Sequence, residues 1–477
     1  MPRGSPLYDR SIFLLLDGAR ADVFDEMLHR GDLPNLSRHV IERGGRATAT
    51  TVFPSVTGVA YATYVTGCYP RGTNLPGVKW LDRKQYARRS MSISRFRNYT
   101  GLGHFMMDRD LSPDVRTLFE LLKPSRNIFG TVSRGTGMAR NAFLLRRVPY
   151  ALGFLMTGDW APIDERSHQV LYRAAKRRDR FTFHTTLQID EHSHHDGPFS
   201  PRAREGYRAF DRALGELVTR LSRQGTLERT LLCFGSDHGH SEVEGHFDLA
   251  RFFEGRGHKT FYYPKLVQHW FGCEVAVMVG GNGMGHVYLR GSGWDADETG
   301  EERLGRLPGI VDALLDEPAI DVCAWRSGND GDVVVQSRRG RATVRLVGDD
   351  LHYTVDAAGD PFGYVPLPAR MSHATSLHLT HETLYPDGLV QVAQLFGSPR
   401  AGDLVVSAAP GWDLDRPHQR AHRSGHGTLH RDHMRVPFAL SHPFRTTGVR
   451  TVDAFPTILE LLGEAVPAGI DGKSLVA

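Results

Sequence analysis

The 477-residue sequence predicts an α/β fold, a mostly parallel sheet sandwiched by helices and carrying a smaller β-rich insertion. Three observations predict it. Short apolar runs recur along the chain and are separated by segments of helical period. Three of those runs end on an aspartate. The stretch from residue 255 to residue 368 differs, being rich in glycine and alternating apolar with polar residues.

In order, the runs are Ile12–Leu16, Asn127–Val132, Phe181–Ile189, Thr230–Gly235, Val275–Val279, Asp403–Ala408 and Val436–Leu440. Each suits a strand buried on both faces. Residues 52–67, VFPSVTGVAYATYVTG, read as a turn at Phe53-Pro54-Ser55 followed by a helix that closes on Gly67. The clearest helical stripe is Tyr207, Phe210, Leu214, Leu217, Val218 and Leu221, stopping near Gly225. A last helix covers Val452 to Leu462. Inside 255–368, Asp332–Gln336 and Ala342–Val347 read as antiparallel strands, with a turn at Gly348-Asp349-Asp350. The domain plan is therefore an α/β core at 1–254, an inserted β-rich cap at 255–368, and the rest of the core at 369–477.

Composition narrows the function classes. At 40% hydrophobic and 23% charged, the chain has the make-up of an ordinary globular protein. The net charge of +4 comes from scattered basic residues, so there is no nucleic-acid-binding signal. Cys68, Cys233, Cys273 and Cys323 lack CxxC spacing, so nothing demands disulfides or thiolate metal sites. The run Ile12–Leu16 is too short for a signal peptide, and no stretch approaches the ~20 apolar residues of a membrane span. The expectation is a cytoplasmic protein. Oligomeric state is not readable from these features.

Open α/β sheets gather function at the carboxyl ends of their strands. Here those ends deliver Asp17, then Asp190-Glu-His-Ser-His194, then Ser236-Asp237-His238-Gly239-His240. Asp190 and His194 are four apart, so on a helix they share one face. Asp237 and His238 are adjacent and can serve one centre only where the strand has already become a loop. Downstream, Ser424-Gly425-His426-Gly427 offers an imidazole between glycines. Aspartate and neutral histidine are ligands suited to Zn²⁺ first, with Mn²⁺ or Fe²⁺ as alternatives. Asp17 alone would also read as a helix N-cap; Asp17, Asp190, His194, Asp237, His238 and His426 together point to a metal centre. His192, His195, His240, His422, His430 and His433 read as surplus, surface or supporting groups.

This set of motifs resembles the alkaline phosphatase superfamily and, within it, the nucleotide pyrophosphatase/phosphodiesterase family. The matching pieces run from LLLDGARAD through TGVAYATYVTGCYP, DEHSHHDGP and SDHGH to SGHG, MRVPF and the closing IDGKSL. The resemblance implies a nucleophile ten residues before the glycine of Thr66-Gly67, which is Thr57. It implies one divalent ion held by Asp17, Asp237, His238 and the Thr57 oxygen, and a second held by Asp190, His194 and His426. Two such ions about 4 Å apart stabilise the attacking and leaving oxygens of an in-line displacement. The implied substrate is a small phosphoester, of phosphodiester or nucleotide-pyrophosphate type, cleaved through a phosphothreonine. Two divalent cations against three aspartates and a threonine alkoxide leave a neutral site, which suits a singly charged diester.

The chain departs from the family at Val59, where a proline is common, and lacks the expected asparagine shortly after Thr66-Gly67. Candidate substrate contacts are Asn74, Lys79, Trp80, Asn282 and His286. Hydrolysis of monoesters or phosphonates is the enzymatic alternative, and a catalytically impaired metal-binding protein is the other. Thr57-Gly58-Val59-Ala60-Tyr61 does not supply the modified nucleophile of sulfatases.

Overall fold

The computed structural model describes residues 6–88, 95–142, 159–263, 272–328, 331–414 and 422–476. Among these, a six-stranded sheet runs in the order Gly45–Thr50, Arg435–Leu440, Thr230–Ser236, Arg10–Leu16, Phe181–Thr186, Ser125–Ile128. The last four strands in that order are mutually parallel, and Arg435–Leu440 runs against its neighbours. The expected mostly parallel sheet is present.

Strand Arg10–Leu16 shows why its sequence is a continuous apolar run. Ile12, Leu14 and Leu16 pack with Phe24, Tyr207, Phe210 and Leu214, on helices Ala21–His29 and Pro201–Arg223. Phe13 and Leu15 point the other way, to Tyr61, Tyr64 and Ile458 on helices Val59–Thr66 and Ala454–Leu461. Successive side chains alternate faces, and both faces are covered. The register matters more for function. Leu16 lies opposite both Thr186 and Ser236, so three parallel strands finish level with one another.

A second, nine-stranded sheet has the order Arg370–Ser372, Asp350–Val355, Gly340–Val347, Asp332–Ser337, Ile320–Ser327, Leu404–Ala408, Met284–Leu289, Val275–Gly280, Thr260–Tyr262. Every neighbouring pair is antiparallel except the last. Helix Gly388–Phe396 covers one face through Leu389 and Val392, and helix Ile310–Leu315 covers the other through Leu314. Strand Leu404–Ala408, which the sequence reading places after the 255–368 segment, sits in the middle of this sheet. A strand buried on both faces is a continuous apolar run in either kind of sheet, so its pattern does not say which one it joins.

Helix Val59–Thr66 closes on Gly67 in the left-handed conformation, φ 67°. Its last carbonyls are reached from far along the chain, since the N–H groups of Asp471 and Gly472 donate to Gly67 O at 2.9 and 3.0 Å. The Asp471 carboxylate accepts from the Tyr69 N–H at 2.7 Å, and the Leu475 N–H donates to Thr457 Oγ1 at 3.0 Å. Among the described residues, no helix is long and apolar enough to cross a membrane.

Candidate metal centre

The level ends of three parallel strands place their next residues side by side. Asp17 follows Leu16, and Asp237 follows Ser236. From Thr186 the chain enters helix Gln188–Asp196, whose first turns carry Asp190 and His194 on one face. Gly18 makes the approach possible. It is left-handed at φ +74°, and a Cβ there would meet His240 Nε2 at 2.7 Å and Asp190 Cα at 2.8 Å.

The donors of Asp17, Asp237 and His238 lie within 4.8 Å of one another, as do those of Asp190, His238 and His426, and those of Asp190, His194 and His240. Thr57 joins the first group, its Oγ1 standing 3.1 Å from His238 Nε2 and 3.4 Å from Asp17 Oδ1. Tyr61, one turn into the following helix, donates to Asp17 Oδ2 at 2.6 Å and so turns Oδ1 toward Thr57. The Gly18 N–H donates to Asp237 Oδ1 at 3.0 Å. Asp237 Oδ2 is buried and has no hydrogen-bond partner among the described residues.

The imidazoles are set by backbone carbonyls. His238 Nδ1–H donates to Gly239 O at 3.2 Å, His194 Nδ1–H to Ser424 O at 2.8 Å, and His426 Nδ1–H to Ser55 O at 3.0 Å. A carbonyl only accepts, so each ring carries its proton on Nδ1 and keeps the Nε2 lone pair free. That is the tautomer a metal ligand needs. His426 is held by a hairpin of the nine-stranded sheet. Its N–H donates to Gly281 O at 3.0 Å, and its O accepts from the Gly283 N–H at 2.8 Å.

Without a cation this cluster is electrostatically unbalanced. Burial, and then the charges of Asp237 and Asp190, push the Asp17 carboxyl well above the usual carboxylate range. Burial and Glu191 do the same to Asp190. Burial and neighbouring histidines hold His426 well below the ordinary imidazole value. Two buried carboxylates, Asp17 and Asp237, and the half-buried Asp190 repel one another and unprotonated imidazoles offer only lone pairs, an arrangement that cations relieve. The orphaned Asp237 Oδ2, the lone pairs of three Nε2 atoms and the mixed O/N donor set fit divalent transition-metal ions.

The sequence comparison decides the family. The profile described as type I phosphodiesterase / nucleotide pyrophosphatase matches residues 11–433. The chain belongs to the type I phosphodiesterase/nucleotide pyrophosphatase family. With that family it belongs to the alkaline phosphatase superfamily, as the motifs imply. No curated protein matches the chain in a sequence search. Among solved structures, murine ectonucleotide pyrophosphatase/phosphodiesterase 5, as an inactive variant in complex with AMP, is similar at 13% identity and a TM-score of 0.56, covering 96% of each chain. Phosphonoacetate hydrolase from Sinorhizobium meliloti, in complex with phosphonoformate, is similar at 15% identity and a TM-score of 0.55, covering 97% of each chain. At these identities the likeness is one of fold. The family is one of phosphoester hydrolases whose chemistry is typically divalent-metal dependent.

In this phosphodiesterase-family chain, the five expected substrate contacts separate sharply. Trp80 is 1% exposed, gives its indole N–H to Tyr99 Oη at 2.9 Å, and packs under Arg400. His286 is fully buried, donating from Nε2 to Pro76 O and accepting at Nδ1 from the Gly402 N–H. Asn74 Oδ1 accepts from Ser398 Oγ at 2.9 Å, and Lys79 Nζ lies over the Tyr263 ring. None of these four is brought into the Asp–His cluster. Asn282 is, in part: it bridges to the His426 backbone, and its amide reaches Asp413 Oδ2 at 3.1 Å and His422 Nδ1 at 2.9 Å. The sequence reading sets His240 aside as surplus, yet the structure buries it against Asp190. Its position two residues after His238, with only Gly239 between, was the available signal.

Proposed function

We propose that the protein is a two-metal hydrolase that cleaves phosphodiester or nucleotide-pyrophosphate bonds with Thr57 as the nucleophile. The observation that carries this reading is the position of Thr57 Oγ1 beside Asp17 and His238. In this reading Asp17, Asp237, His238 and Thr57 hold one cation, and Asp190, His194 and His426 hold a second, Zn²⁺ being the first choice. Cations held there would supply Lewis-acid stabilisation of negative charge on the attacking and departing oxygens.

The remaining work falls to the chain. Thr57 precedes helix Val59–Thr66, and the amino end of a helix favours a phosphate there. Tyr61 fixes the Asp17 carboxylate, and the three backbone carbonyls fix the imidazole tautomers. Thr57 Oγ1 gives up its proton to water and bonds to phosphorus as the bond to the leaving alcohol or phosphate breaks, and water then hydrolyses the phosphothreonine to restore the hydroxyl.

AMP in one structural relative and phosphonoformate in another make nucleotide diesters and phosphonoacetate the natural comparison substrates. The neutral charge count favours the diester. The test is initial rates on bis-p-nitrophenyl phosphate, p-nitrophenyl phosphate and phosphonoacetate, with and without added Zn²⁺. Faster turnover of the diester is expected; preference for the monoester or the phosphonate would replace this reading with the alternative.

A further inference from the structure

We infer that His240 is a fourth protein donor to the second cation, completing a set of one carboxylate and three imidazoles. The inference rests on the metal reading above and extends it to a residue that reading leaves out.

Hydrogen-bond direction is the first argument. Ser424 Oγ has one proton and donates it to Ser193 O at 2.6 Å. Toward His240 Nδ1, 3.1 Å away, Ser424 Oγ therefore acts as the acceptor, and the His240 proton sits on Nδ1. Nε2 is left with its lone pair, 2.8 Å from Asp190 Oδ1, which also carries lone pairs. Two acceptors at that separation need a cation or a proton between them. The same logic fixes the tautomers of His194 and His426, whose Nδ1 protons go to backbone carbonyls, so the three rings are prepared alike.

Ring placement is the second argument. Three imidazoles bound to one tetrahedral ion have ring centroids about 5 Å apart, given M–N distances near 2 Å. His194, His240 and His426 have centroid separations of 4.7, 5.3 and 5.3 Å. His238 differs. It lies flat on His426 with centroids 3.6 Å apart and planes 7° from parallel, an arrangement for rings serving adjacent ions rather than one.

His240 is also held in place. It is fully buried, its carbonyl accepts from the Arg20 guanidinium, and Gly18 leaves the space its ring occupies. A side chain fixed this way, with an unshared nitrogen facing a carboxylate, is built as a donor.

The donors of Asp190, His194 and His240 lie within 4.8 Å of one another, and with His426 they would give the second cation four protein donors, leaving the departing oxygen to enter as a fifth.

The deciding experiment is anomalous diffraction from crystals of the metal-loaded wild-type protein, together with chelator-competition titrations of wild type and His240→Ala. Expected are a cation within bonding distance of His240 Nε2, and an affinity for one of two cations weakened by about 100-fold in the variant with the other unchanged. Two bound cations with neither in contact with His240, or both affinities within twofold of wild type in a folded His240→Ala, would overturn this inference and leave the metal reading standing. Wild-type protein that binds no divalent cation would overturn both. The diffraction measurement needs no variant, so it decides even if His240→Ala does not fold.

Discussion

In the six-stranded sheet, Leu16, Thr186 and Ser236 end in one register, and the residues just past them face one another. In the nine-stranded sheet neighbours run in opposite directions, so successive strands deliver their ends to opposite edges. Both sheets are covered by helices and both are rich in buried apolar side chains, yet among the described residues the Asp and His donor groups gather at the strand ends of the first. Parallel strands stack like ends, and antiparallel strands disperse them. What the nine-stranded sheet contributes is backbone: Gly281 and Gly283 grip the main chain of His426 from both sides. One sheet supplies donors, and the other aims one of them.

The sharpest way to break this comparison is at the first sheet's edge. Thr57→Ala should lower kcat by at least about 10³-fold while leaving the metal content of the purified protein unchanged. Steady-state rates and metal analysis check it together, and near-normal turnover would move the nucleophile elsewhere.

The next effect concerns the second sheet, and it is on stability rather than rate. Burial lowers the His286 imidazole to about 4 from the ordinary 6.5. Above 6.5 both folded and unfolded states are neutral there, and nothing is lost. Below it the unfolded chain takes up a proton that the folded chain refuses, so stability falls with pH until about 4. The loss attributable to this residue approaches about 3 kcal/mol. Denaturant unfolding from pH 7 to 4.5 should show a shallower decline for His286→Gln than for wild type; parallel curves would assign the acid sensitivity elsewhere.

A smaller effect is expected where the two sheets meet. Asn282 has φ 66°, which a β-branched residue resists by about 1–2 kcal/mol. Asn282→Val should weaken the hairpin around His426 and reduce kcat/KM by about tenfold, whereas Asn282→Gly keeps the backbone and should stay within about threefold of wild type. Equal losses in the two variants would show that the amide, not the backbone, is what matters. The smallest effect belongs to Trp80→Phe. Losing the bond to Tyr99 should cost about 1 kcal/mol of stability, with kcat within experimental error of wild type.

How much of this was readable beforehand follows the same division. Asp17, Asp190, His194, Asp237, His238 and His426 were legible because each sits at a recognisable strand end, helical spacing or glycine-flanked turn. Thr57 carries no local signal and was reached only through the family resemblance. Trp80 and His286 were misleading for a physical reason: a polar side chain satisfied inside a core has the same letter as one lining a cleft. His240 was passed over because six Asp and His donors already looked complete, although it stands only two residues after His238 and the fold buries it against Asp190. The strand Leu404–Ala408 has a pattern that fits either sheet, and its partners are the distant strands Met284–Leu289 and Ile320–Ser327.

Asp471 and Gly472 hold the far end of the helix that begins behind Thr57. During biosynthesis, the strand carrying Asp17 and the loop carrying Asp237 emerge from the ribosome long before these clamping residues do. The first strands can thus form while the helix after Thr57 still lacks its rear support, which depends on a contact between Tyr69 and a residue 402 positions further along.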